Sequence, residues 1–65
     1  MQLVKCISIR ETNPNQIKIG NYYFIDITSI HSDLEGEWYT DVYEMINDMY
    51  YSIGILALRH FIITN

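Results

Sequence analysis

Between Lys18 and Arg59 the chain has no lysine or arginine. Seven of its eight acidic side chains, Asp26, Asp33, Glu35, Glu37, Asp41, Glu44 and Asp48, fall inside that gap. Residues 26–51 therefore carry −7, while residues 1–25 carry +2 and residues 52–65 carry +1, giving the net −4. A negative field concentrated in this way attracts cationic partners and repels phosphate. Direct nucleic-acid binding would have to rely on Lys5, Arg10 and Lys18 alone, too few for an electrostatic footprint. Cysteine is nearly as scarce. Cys6 stands alone, which excludes an internal disulfide framework and fits a reducing compartment. Long apolar runs are missing too: residues 53–58 fall far short of the roughly 20 needed to span a bilayer, so no membrane helix is expected. The first apolar run, residues 3–9, is broken by Lys5 and followed by Arg10 rather than by a small-residue cleavage site. The expected location is cytoplasmic.

What is present is a chain of 65 residues, 49% of them hydrophobic, which places it among globular single domains. A domain this small buries only about 60% of the surface its unfolded chain exposes, and packing alone must hold it. Apolar side chains left over from the core are thus expected on the surface.

Period-two alternation predicts strands. Residues 3–9 set Val4, Cys6 and Ser8 against Leu3, Lys5, Ile7 and Ile9. The stretch 11–16, with the only proline, reads as a loop, and Gly20-Asn21 supplies a sharp bend. A second strand is expected over residues 22–30, with Tyr23, Ile25 and Ile27 opposite Tyr22, Phe24, Asp26 and Thr28. A turn at residues 32–36 leads to a third strand over 37–45. Asn47-Asp48 then closes a hairpin into a fourth strand over 50–56. A short turn at 57–60 precedes a last strand over 61–64. Trp38, Val42, Met45, Ile46, Met49, Ile53 and Leu56 also fall at helical spacing. The density of tyrosines, Gly54 within the stretch, and seven acids without a cation for i,i+4 pairing favour strands over that helix.

Five short strands with a long first loop and a one-turn helix before the last describe an SH3-like barrel. The closing segment Ser52-Ile53-Gly54-Ile55-Leu56-Ala57-Leu58-Arg59-His60-Phe61 resembles the end of that fold. The segment Gln16-Ile17-Lys18-Ile19-Gly20-Asn21-Tyr22-Tyr23-Phe24-Ile25, and the start Val4-Lys5-Cys6-Ile7, resemble small SH3-like proteins encoded by phages and prophages of Gram-positive bacteria. The resemblance implies an all-β, five-stranded barrel forming a single domain over residues 1–65, and a phage origin in the host cell cytoplasm. It implies no activity, because fold does not fix function. Where eukaryotic SH3 domains set paired tryptophans, a proline and a tyrosine, this chain has Trp38 alone, Ala57 and His60, so a polyproline groove is not expected.

Chemistry-bearing clusters are thin. Asp33, Glu35 and Glu37 alternate but lack the spacing of a calcium loop, and Cys6, His31 and His60 have no zinc-ligand spacing; neither a metal nor a cofactor is expected. Cys6, in an apolar strand, reads as a buried and inert thiol. No nucleophile, base and orienting group can be placed together, so no catalytic residues are assigned. The aromatic residues carry the stronger signal. With Val42, Ile53 and Ile55 taken as core, Tyr39, Asp41 and Tyr43 are expected to face outward. Trp38, Tyr39, Asp41, Tyr43, Glu44 and Tyr50 then form a candidate partner-binding surface, since tyrosines interleaved with acids make amphipathic, low-entropy contacts. The expected partner is a host protein, basic or itself nucleic-acid-binding, approached by a monomer or small homo-oligomer. The competing expectations are that cross-strand tyrosines simply cover the sheet, or that the chain is a self-assembling virion component.

Overall fold

The computed structural model describes residues 1–10 and 17–64, and the loop expected at 11–16 lies outside them. Six strands form one antiparallel sheet: β1 Gln2–Cys6, β2 Tyr22–Ile25, β3 His31–Ser32, β4 Trp38–Ile46, β5 Met49–Ala57 and β6 Phe61–Ile63. Two single 3₁₀ turns, Ile27–Ser29 and Leu58–His60, are the only helical elements among the described residues. The sheet runs β3-β4-β2-β1-β6, with β5 on the other side of β4. It curls strongly into a half-barrel, an all-β architecture compatible with the small SH3-like barrel expected from the sequence.

Alternation fixes what is inside. In β1, Val4 and Cys6 are buried, and in β4 Thr40 and Val42 are fully buried, each two residues from the next as a half-buried strand requires. Tyr23 and Ile25 of β2, Ile17 and Phe61 complete the core cluster, with Ile30, Ile53, Leu56 and Leu58 packed against it. Tyr23 meets Phe61 edge-on, ring centroids 6.2 Å apart, and its phenol oxygen accepts the Lys18 N–H at 3.0 Å. The aromatic body is thereby buried while the polar tip is satisfied.

Three expectations need correcting. The strand expected over 22–30 stops at Ile25, because Asp26 caps the first 3₁₀ turn, accepting the Thr28 N–H at 3.0 Å and the Thr28 hydroxyl at 2.6 Å. These bonds, the hydroxyl's first, hold the Asp26 carboxyl below its ordinary pKa. The chain resumes pairing only in the two-residue β3. The first strand likewise ends at Cys6, before Ile7 and Ile9, which are exposed. Ile55, expected in the core, is 60% exposed. Val42 pairs with Gly54 but Tyr43 pairs with Ser52, so β5 carries one extra residue, Ile53. That insertion inverts every side chain beyond it. Gly54 accommodates the distortion at φ 126°, a backbone conformation that L side chains rarely adopt.

Candidate functional site

The β4–β5 hairpin outgrows the sheet that supports it. Its ladder with β2 ends at the pairs Ile25↔Val42 and Phe24↔Tyr43, whereas β4 and β5 continue to Ile46↔Met49. Residues 44–51 therefore form a two-stranded ribbon, with no third strand among the described residues beside β4. The loop is two residues long, Asn47 at φ 51° and Asp48 at φ 63°. Both residue types tolerate positive φ, and the resulting turn matches the right-handed twist of the strands. Met45, Ile46, Met49, Tyr50 and Tyr51 are all exposed on this ribbon. Five exposed apolar side chains thus share one protruding element, the kind of grouping from which an interaction surface can be built.

Register places the six predicted site residues. Tyr39, Asp41 and Tyr43 share the outer face of β4, and Tyr43↔Ser52 and Met45↔Tyr50 put Tyr50 on the same face. Phe24, paired with Tyr43, joins them. Tyr50 packs edge-on against Phe24 at 5.2 Å and against Tyr43 at 6.5 Å between ring centroids. This aromatic triad, with Asp41 two residues away, is the centre of the site. Tyr43 is half-buried by it and Tyr50 remains 44% exposed, so the cluster both covers the sheet and presents a surface. Trp38 and Glu44 lie on the opposite side of β4, near its two ends, where the sheet leaves both exposed. They are not brought together with the triad. Sequence reasoning missed Phe24 because only the β2–β4 register reveals it.

Tyr39 belongs to a different locality. It stacks on His31 with ring centroids 6.0 Å apart, and it lines a cleft of about 270 Å³ with Asp33, Glu35, Glu37, Arg59 and His60. Desolvation, followed by the Asp33 carboxylate, raises the Tyr39 phenol above its ordinary pKa. The charges here largely serve the fold. Asp33 Oδ1 accepts the N–H groups of Glu35 and Glu37, both at 2.9 Å, and Glu37 pairs with Arg59. The cleft is a seam of mixed charge joining the β3–β4 loop to the second 3₁₀ turn.

His60 is buried, with Nδ1 2.9 Å from the Ser8 hydroxyl and Nε2 meeting no partner among the described residues. Burial, reinforced by Arg59 and Arg10, pushes its pKa below the usual histidine value. The pair resembles a nucleophile with its base, but among the described residues no carboxylate orients the ring, and Ser8 does not line the cleft. Cys6 donates its thiol proton to the Ser8 carbonyl at 3.2 Å, and burial pushes the thiol up, the opposite of activation. Among the described residues no three His, Cys, Asp or Glu side chains are placed to hold a metal ion. Nor, among them, is any helix long and apolar enough to cross a membrane. No family model, curated protein or solved structure matches this chain.

Proposed function

We propose that the chain is a non-enzymatic protein-binding module of a phage or prophage that occupies, and thereby inhibits, a basic host protein. The hairpin surface carries this reading: Tyr43, Tyr50 and Phe24 supply an apolar centre, Asp41 shares its face, and Glu44 and Asp48 add to the hairpin's negative charge, which no lysine or arginine on the hairpin offsets. Aromatic anchors rimmed by charge are the usual composition of a recognition patch, and the acids would speed encounter with a cationic partner. The phage origin rests on the sequence resemblance described above.

The test is affinity capture from a Gram-positive bacterial lysate with the native chain and with Asp41→Asn/Tyr43→Ser. The proposal expects a captured protein that the double variant, still folded, fails to retain. Capture profiles that the double change leaves untouched refute it. A second reading, self-assembly as a structural component, draws on the outer edge of β5, which among the described residues has no strand partner. Sedimentation at increasing concentration separates the two, a constant monomer mass ruling assembly out.

A further inference from the structure

β5 is the least protected edge of the molecule. Among the described residues it pairs only with β4, so the backbone groups on its other side have no strand partner over a nine-residue element. Natural edge strands are usually guarded by a charge, a proline or very short length. The sequence of β5, MYYSIGILA, holds no charge and no proline, and its only irregularity is the extra residue Ile53 followed by Gly54. The hairpin's acids lie instead on β4 and in the turn: Asp41, Glu44 and Asp48. Charges that served to block pairing would sit on the edge strand itself. Placed one strand behind it, they leave the edge open and select what approaches.

From this arrangement we infer that the hairpin binds its partner by strand addition: an extended, positively charged segment pairs with the free edge of β5. The inference rests on the partner-binding reading and gives it a mode. Backbone hydrogen bonds to β5 supply affinity, and side chains on alternate positions supply specificity. The outer face of β5 presents Tyr50, Ser52 and Ile55, backed on β4 by Met45, Tyr43 and Asp41. An added strand would lie two spacings of about 4.8 Å from β4. Ser52 is the small residue in that row. A lysine or arginine opposite it can extend across Ser52 toward the Tyr43 ring and the Asp41 carboxylate, whereas a glutamate there meets repulsion. Charge also decides against a second copy as the occupant. Two chains approaching through this edge would each bring the segment that carries −7, while a cationic strand is attracted to it.

The test uses the full chain and a capped eight-residue peptide alternating lysine and valine. Two isomers of it are N-methylated, one on every lysine nitrogen and one on every valine nitrogen, and a fourth peptide replaces lysine with glutamate. Binding is followed by fluorescence anisotropy and by amide exchange of residues 49–57. The parent peptide should bind, slow exchange in β5 and weaken with added salt. One N-methylated isomer should bind about a hundredfold more weakly, because a strand pairs through the N–H groups of alternate residues only, and the other should bind like the parent. The glutamate peptide should not bind, and Ser52→Lys, at an exposed position, should block the parent. Equal binding by both N-methylated isomers overturns strand addition; if Asp41→Asn still weakens both, the partner-binding surface survives without this mode. No binding by any peptide overturns it as well, and the lysate capture then judges the broader reading separately. Dimerisation through β5 that excludes the peptide overturns it in favour of a second copy.

Discussion

Replacing Ser29 with alanine tests how Asp41 is held in place. β3 pairs with β4 at Trp38 and Tyr39, and β2 takes over at Val42 and Tyr43, so Thr40 and Asp41 lie opposite a gap in the ladder. Ser29, at the end of the first 3₁₀ turn, bridges that gap. Its hydroxyl accepts the Asp41 N–H at 3.0 Å and donates to the Asp26 carbonyl at 2.6 Å. In Ser29→Ala the Asp26 carbonyl keeps the Ser29 backbone N–H, already bonded at 2.9 Å, but the half-buried Asp41 N–H is left with nothing. Orphaning such a donor costs about 1–2 kcal/mol, and for a domain of this size each kcal/mol shifts the melting temperature by roughly 4–8 °C. The variant should therefore melt about 4–16 °C lower, a large fraction of a total stability of only a few kcal/mol. Thr40→Val is the contrasting arm. The Thr40 hydroxyl makes only 3.3 Å contacts, to Ser29 Oγ and the Asp41 carbonyl, and the residue is fully buried, so valine should be neutral or stabilising. Circular dichroism melts read the stability, and amide exchange at Asp41 reads the bond itself. If Ser29→Ala melts within about 2 °C of the native chain while the Asp41 amide stays protected, the bridge is not what closes the gap.

Three further outcomes follow from the packing. Because the folded His60 pKa is depressed, the unfolded chain binds more protons in the interval below the ordinary value of about 6.5, so this contribution is complete above that pH and lost as pH falls through it. Urea midpoints in a His31→Gln background should drop from about pH 7 to about pH 5, above the main carboxylate range; a flat profile contradicts the burial of a neutral ring. Cys6 should react with a thiol reagent only through unfolding, roughly a hundred- to a thousandfold more slowly than in urea-unfolded chain, and labelling at the unfolded rate would show the thiol to be accessible. In the turn, Asp48→Val should cost about 1–2 kcal/mol because φ is 63° there, while Asp48→Gly should be tolerated; equal melts for the two would contradict the positive-φ turn.

Much of the architecture could be read from residue types alone, because burial of one sheet face imposes alternation. Val4 and Cys6, Tyr23 and Ile25, and Thr40 and Val42 all obey it, and Asn47-Asp48 announced the hairpin between β4 and β5. The errors arose where the period breaks. Ile53 shifts the register by one, which moved Ile55 from the expected core to the surface; Gly54 within a strand was the available signal for such a bulge. Asp26, followed two residues later by Thr28, is a capping pattern that stops β2 five residues before the expected end. The candidate site was legible in its charge and its tyrosines, but not in its membership. Phe24 joins Tyr43 and Tyr50, and Tyr39 leaves them for the cleft, because membership depends on which strands are neighbours.

The same register shift separates stability from recognition along β5. On one side of Ile53, Leu56 packs against the core and Ala57 is buried, while on the other, residues 49–52 ride on a ribbon with exposed side chains. A chain of 65 residues cannot cover so many apolar groups, and those it fails to cover are not spread evenly. Five of them, Met45, Ile46, Met49, Tyr50 and Tyr51, sit where β4 outruns β2, next to Glu44 and Asp48, which have no lysine or arginine on the hairpin to offset them. Uncovered apolar area and an unbalanced field thus coincide at the outer end of the hairpin, residues 44–51, while its inner end, with Thr40 and Val42 buried, holds the core. Substitutions of the exposed side chains Met45, Ile46, Met49 and Tyr51 should leave folding intact, whereas the binding variants at Asp41, Tyr43 and Ser52 lie nearer the sheet and are read together with their melts.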